Sequence, residues 1–284
     1  MALHRNRRRF LGVVSAAALV ACVAAVCGVA WPRGWVGAPG RSSLAGLGHI
    51  ARRAAGEVEF YTMDMCPYAQ RTWIALEEKG IKYTRKLVDF RDETAKAWYK
   101  ENINPLGKVP SIKDTSDGTV IYESEIINEY LDQRFAGSGP ELMPRDAAGC
   151  AAVRLWNNHL NSKLAPAHFT FLMNKDPEKE TEQQKALEEA MEHYEKNLAG
   201  PYLVGDQFTL ADVSALPFFE RLTYSLLRFK NYEMPVSLQR LREWLALVNS
   251  RPSFIATKRP DDKLEEVYQK FLDMNYKFAG LNKN

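Results

Sequence analysis

The sequence predicts a small mixed α/β unit followed by an all-helical one. Strand and helix signals alternate as β-α-β-α-β-β-α over about 80 residues from Val58. A Gly/Pro/Ser-rich stretch, Ala136–Pro144 (AGSGPELMP), then reads as a linker. Beyond it no strand pattern is convincing, and apolar residues recur only at helical spacing.

Each element has a local cause. Val58–Thr62 is a short apolar-rich run after a charged break, a first strand. From Pro67 to Lys79, Ala69, Trp73 and Leu76 fall on one helix face, and Gly80 stops the run. Ile81–Asp89 reads as the second strand and Glu93–Glu101 as a short helix. Val109–Lys113 and Thr119–Tyr122 are strands joined through Asp117-Gly118, a strong hairpin signal. Ile126, Ile127, Tyr130 and Leu131 form the buried stripe of the next helix. In the second half, Leu187, Met191, Tyr194 and Leu198 repeat at helical spacing, as do Leu238, Leu241, Leu245 and Val248. Thr209 and Asp212 have capping-box spacing ahead of an apolar helix. Five or more helices are expected over 146–276. The expected division is therefore a leader over 1–56, the α/β domain over 57–136, a linker over 137–145, the helical domain over 146–276 and a tail over 277–284.

Composition narrows the function classes. The chain has 284 residues, 46% hydrophobic and 26% charged, the balance of an ordinary globular protein. Four cysteines exclude a disulfide scaffold. The net charge of +3 is unevenly spread, since residues 1–56 carry eight Arg and no acid. The remainder is mildly acidic, so no nucleic-acid partner is expected. Within the leader, a basic cluster ending at Arg9 precedes Leu11–Trp31, an apolar run rich in Ala and Val. That order fits a cleaved secretory signal or a membrane anchor, and Arg7-Arg8-Arg9-Phe10-Leu11 also fits a weak twin-arginine pattern. Pro32–Gly56, rich in Arg, Gly, Ala and Ser and free of acids, has transit-peptide composition. A signal followed by a transit-like segment resembles the leaders of proteins bound for complex plastids. The expected location is an organelle such as a plastid, or a membrane held through residues 11–31, with the cytoplasm as the alternative.

The chemistry is expected at Cys66. Pro67 suits the first helical position, where its missing N–H costs nothing. Cys66 is then the N-cap, facing unpaired N–H groups and the positive end of the helix dipole. Such a position can lower a thiol pKa from about 8.5 to about 3.5–7.5. Arg71, one turn on, adds positive charge. Redox helices of this kind often carry a second cysteine three residues on; here that position is Ala69. The expected chemistry is therefore monothiol, a mixed disulfide at Cys66 resolved by an external thiol.

Four segments in order carry a resemblance. Cys66-Pro67-Tyr68-Ala69-Gln70-Arg71, Asn104–Pro110 (NPLGKVP), Tyr122–Ile127 (YESEII) and Gly205–Asp212 (GDQFTLAD), with Phe218–Leu222 (FFERL) after them, resemble the cytosolic glutathione transferases. The cysteine motif resembles the omega class and its plant relatives, the lambda and dehydroascorbate-reductase classes. The likeness covers about residues 57–276. It implies a thioredoxin-like domain with a glutathione site, an all-α domain, glutathione as co-substrate and, as is common in the family, a homodimer. It implies a cis Val109–Pro110 bond, with the Val109 backbone pairing with the cysteinyl backbone of glutathione. Glu123 and Ser124, opening a helix after a strand, suit the α-amino and α-carboxylate ends of the γ-glutamyl group. Lys108 is a candidate for the glycine carboxylate and Tyr68 completes the glutathione-binding set. The lysine that omega enzymes carry before their Trp-containing helix has no clean match near Trp98.

Other residues take plainer roles. Trp156, His159 and His168 are read as core or helix surface, Asp212 as a folding cap, and Glu178–Glu195 as a solvated helix face. The five histidines lack metal-ligand spacing, so no metal is expected. The expected activity is a glutathione-dependent thiol transferase that reduces a glutathionylated substrate or dehydroascorbate at Cys66. Its partners are then glutathione and a disulfide or electrophilic small molecule. One alternative is a conjugating transferase using Tyr61 or Tyr68. The other is a non-enzymatic glutathione-binding or chloride-channel-like protein, which Arg71, Glu77, Glu78 and Lys79 disfavour in lipid.

Overall fold

The computed structural model describes residues 57–276. The leader and tail expectations lie outside them. Four strands, β1 (Val58–Thr62), β2 (Tyr83–Leu87), β3 (Ser111–Asp114) and β4 (Val120–Tyr122), form one sheet in the order β2-β1-β3-β4. β1 pairs parallel with β2 and antiparallel with β3, which pairs antiparallel with β4. Three helices accompany the sheet: α1 (Pro67–Lys79), α2 (Glu93–Asn102) and α3 (Ser124–Arg134).

Strand alternation divides the helices between the two faces. Val58, Phe60 and Ile112 pack with Ala69, Trp73 and Leu76 of α1 and Ile127 and Leu131 of α3. On the other face Tyr61 packs with Tyr99 and Ile103 at the end of α2. This is the thioredoxin-like arrangement expected. Gly80 ends α1 in the left-handed conformation, φ 59°, and its N–H returns to the carbonyls of Leu76 and Glu77.

Three element readings are corrected. β2 spans only Tyr83–Leu87, not Ile81–Asp89, because the chain pairs with β1 over just those five residues. β3 begins at Ser111, after the proline that cannot donate to the ladder. Ile126 is 59% exposed, whereas Ile127 and Leu131 are fully buried. The apolar stripe of α3 is thus narrower than expected.

The second part is helical: α4 (Ala147–His159), α5 (Ala165–Met173), α6 (Pro177–Asn197), α7 (Leu210–Lys230), α8 (Gln239–Asn249), α9 (Pro252–Thr257) and α10 (Asp261–Asp273). A π-turn, Leu160–Leu164, joins α4 to α5. Leu187, Met191, Tyr194 and Leu198 are all buried, as their spacing predicts. Thr209 and Asp212 form the capping box of α7. Trp156 and His168 are buried and His159 is half-buried, in the plain roles expected.

His168 sets a pH limit on this core. Its Nε2 lies 2.8 Å from Ser225 Oγ. Burial pushes its pKa down to about 3. The unfolded chain takes up a proton below about pH 6.5 that the folded state refuses, so stability held above pH 6.5 is lost as pH falls. Between pH 7 and 5 this group alone should cost about 2 kcal/mol. Urea unfolding of wild type and His168→Gln at both pH values checks it: the variant's loss should be smaller by about that amount. Equal losses would mean that His168 titrates normally.

Candidate active site

Strand register gathers the candidate residues. Tyr61 lies opposite Ser111, and Ser111 opposite Tyr122. The chain leaving β1, the chain entering β3 and the chain leaving β4 therefore emerge at one end of the sheet. Cys66, Val109-Pro110 and Glu123-Ser124 occupy those three connections.

Cys66 caps α1 with extended backbone, φ −77° and ψ 119°, and Pro67 begins the helix. Its N–H donates to Met63 O at 3.1 Å, and its carbonyl accepts from Gln70 N at 3.0 Å. The sulfur makes no capping hydrogen bond. Its Sγ lies 3.9 Å from the Val109 carbonyl, to which the thiol donates. The Val109–Pro110 bond is cis.

Two effects compete at this sulfur. Burial pushes the thiol pKa up, while the N–H groups of Ala69 and Tyr68 and the guanidinium groups of Arg221 and Arg71 pull it down. Burial is the larger effect, and the net direction is upward. This corrects the expectation of a strongly acidic thiol. The helix start is where the sequence put it, but desolvation depends on tertiary packing and is not a local property.

Tyr68 stands half-buried beside the cysteine, edge-on to Phe218 with ring centroids 5.1 Å apart. The Arg71 guanidinium lies 5.0 Å from its ring centre. Arg71 itself is buried and donates to Ser124 Oγ at 3.3 Å, Glu125 at 3.2 Å, Asn161 at 3.1 Å and the Ser214 carbonyl at 3.0 Å. With Oγ accepting from Arg71, the buried Ser124 hydroxyl keeps its own proton free to donate. Glu123 is exposed at φ 70° and ψ 114°. Such a conformation costs a non-glycine residue about 1–3 kcal/mol. Its carboxylate caps nothing and has no ion pair among the described residues.

Lys108 is placed differently. Its carbonyl accepts from Tyr99 Oη and Asn104 Nδ2, both at 2.7 Å, which shapes the turn before Val109. Its side chain is exposed, and none of the contacts just described involves it. Tyr61 is excluded from the Cys66 side. It donates to Glu59 at 3.0 Å and lines a half-open cavity of about 550 Å³ with Trp98, Tyr99 and Lys113 on the α2 face. None of the candidate site residues lines that cavity.

Sequence reasoning missed two contributors. Asn161, in the π-turn before Pro166, accepts from Arg71 and donates to Glu125 at 2.6 Å. Arg221, from α7, donates to the Met65 carbonyl beside the cysteine at 3.4 Å. Neither has a local signature, because each acts across the boundary between the two parts. Among the described residues no group of three or more His, Cys, Asp or Glu side chains gathers to hold a metal.

Known proteins resemble this chain in sequence and fold. The family described as "Glutathione S-transferase, N-terminal domain" matches residues 65–134, and "Glutathione S-transferase, C-terminal domain" matches 177–247. Glutathione S-transferase L3 of Arabidopsis thaliana is 31% identical over 222 residues, 76% of this chain and 88% of that protein. Glutathione S-transferase DHAR2 of the same plant is 31% identical over 194 residues, 68% of this chain and 84% of that one. Among solved structures, glutathione transferase Omega 3C from Trametes versicolor superposes with a TM-score of 0.65 at 31% identity, covering 73% of this chain and 91% of that one. With both domain types in order on a thioredoxin-like sheet and a helical partner, the chain belongs to the glutathione transferase family.

Proposed function

We propose that the protein is a glutathione-dependent thiol transferase whose reacting group is Cys66. One observation carries the reading: the only cysteine among these three connections caps α1 with a sulfur that makes no capping bond and lies 3.9 Å from the Val109 carbonyl. Glutathione is the family's co-substrate. In this reading the Val109 backbone aligns its cysteinyl part, and Ser124 and Glu123 take the two ends of its γ-glutamyl group. Glu123's strained backbone supports that role, since its side chain gives the fold no capping bond in return.

The reaction follows from a single thiol. The Cys66 thiolate attacks the glutathionyl sulfur of a mixed disulfide, forming a Cys66–glutathione disulfide and releasing the substrate thiolate. A second glutathione thiolate attacks the glutathionyl sulfur of that bond, leaving oxidised glutathione and the Cys66 thiolate. Dehydroascorbate is a second substrate class: it takes up two electrons and two protons as two glutathiones become one disulfide. The named lambda-class and dehydroascorbate-reductase relatives support both choices. A conjugating reaction is less well supported. Tyr61 serves the other sheet face, and burial pushes the Tyr68 hydroxyl pKa up, against activating it.

Oxidised glutathione should therefore add one glutathionyl group to the protein, at Cys66, and excess reduced glutathione should remove it. Peptide mass spectrometry reads both steps; an adduct confined to Cys150 would refute the assignment. Because burial raises the thiol pKa, alkylation of Cys66 by iodoacetamide should climb steeply between pH 7 and 9, about tenfold per unit below the pKa. A rate already level below pH 7.5 would show that the N–H groups and arginines outweigh burial.

A further inference from the structure

We propose that Arg221 is a positioning residue for the Cys66 thiolate, a cation supplied by the helical part that also fixes the turn carrying the cysteine. The inference deepens the thiol-transfer reading and rests on it. Arg221 is 3% exposed where α7 packs along α1. Its Nη2 reaches the carbonyl of Met65, immediately before Cys66, at 3.4 Å. Its Nη1 donates to Gln70 Oε1, one turn after Cys66, at 2.6 Å. Gln70 in turn holds the Cys66 carbonyl through its backbone N–H, and its own Nε2 donates to Thr257 O at 3.4 Å. One guanidinium thus grips the chain on both sides of the cysteine.

Among the described residues, the groups coupled electrostatically to Cys66 include Arg71 and Tyr68 on α1, Tyr99 on α2 and Arg221 on α7. Burial keeps Tyr68 and Tyr99 neutral through the working pH range, so neither brings a charge. Arg71 is committed to Glu125 at 3.2 Å, which offsets part of its field. Arg221 has Glu220 as its ion partner at 3.1 Å, a buried carboxylate that likewise offsets part of its field. Its Oε1 has no hydrogen-bond partner among the described residues. Burial pushes the Glu220 carboxyl upward, while the Arg221 guanidinium beside it pulls it back. A guanidinium stays charged throughout. Where burial disfavours the thiolate, this cation is placed to recover part of the loss.

The test is the pH profile of Cys66 alkylation by iodoacetamide in the full-length protein, read by peptide mass spectrometry. Arg221→Met should move the midpoint up by about half a unit or more, so that the pH 8 rate falls about threefold while the high-pH limit is unchanged. Arg221→Lys, which keeps the charge, should stay within about 0.3 unit of wild type. Thermal melts verify folding. Should the Met variant not fold, Arg221→Gln keeps a donor for the Met65 carbonyl without the charge, and the same shift is expected. A folded neutral variant with the wild-type midpoint overturns the proposal, and so does a Lys variant shifted as far as the Met variant. Alkylation needs no glutathione turnover, so failure of the thiol-transfer reading would be seen separately, in the adduct experiment.

Discussion

Cys66→Ser should lose thiol transfer by on the order of a thousandfold or more. Serine cannot form the mixed disulfide, and its hydroxyl is not ionised near neutral pH. The substitution is nearly isosteric at a position whose sulfur makes no capping bond, so the fold should be unaffected. A serine oxygen at the N-cap is even a favoured capping group. Binding of reduced glutathione, measured by calorimetry, should survive, because the contacts proposed for Val109, Glu123 and Ser124 do not involve the sulfur. The variant should gain at most a trace of conjugating activity, from a hydroxyl that can donate to a bound glutathione thiolate. Transfer that persists at the wild-type rate would move the chemistry to the other described thiol. Cys150 is a poor substitute, since its sulfur donates to the Pro144 carbonyl at 3.0 Å.

Asp212→Ala should destabilise the protein by about 4 kcal/mol. The carboxylate is fully buried and accepts four hydrogen bonds. Oδ1 takes Leu203 N at 3.0 Å and Trp244 Nε1 at 2.8 Å. Oδ2 takes Thr209 N at 2.9 Å and Thr209 Oγ1 at 3.2 Å. Alanine would leave these donors without their acceptor in a dry interior, and each such loss costs about 1–3 kcal/mol. The residue therefore joins the start of α7 to the loop before it and to α8. Burial pushes its carboxyl pKa up, and the donors pull against that. Asp212→Asn keeps one acceptor oxygen and should fall between. A melting temperature lower by about 10 °C is the expected readout for Ala. A change under about 1 kcal/mol would mean that water or neighbouring carbonyls satisfy the donors instead. Catalysis in the surviving folded fraction should be unaltered, since Asp212 serves the fold and not the sulfur.

Much of the architecture was legible because it is encoded locally. α1 was read to the residue from a proline that starts it, a glycine that ends it and three apolar positions on one face. The α7 cap was read from two residues three apart. The position of Cys66 at a helix start follows from Pro67 alone, and the absence of a second thiol from Ala69. Where local signals were weak, the reading slipped. Ile81–Asp89 looked extended throughout, but only pairing with β1 decides which residues form the strand. Ile126 looked like core, although the packing of α3 leaves it outside.

The thiol's electrostatics show the same division more sharply. A helix N-terminus is a local property, so the sequence determined that N–H groups would favour the Cys66 anion. Desolvation is not local. It depends on what the fold packs around the sulfur, the Val109 turn and the α1–α3 face of the sheet among it, and it reverses the net direction. Arg221 and Asn161 likewise enter the site only because helices distant in sequence pack against α1. The sequence by itself determined the order of elements, the start of α1 at Cys66-Pro67, the cap of α7 and the family. The tertiary structure alone decided how far that cysteine is buried and which distant cations face it, since burial and charge fields depend on distances that chain order does not specify.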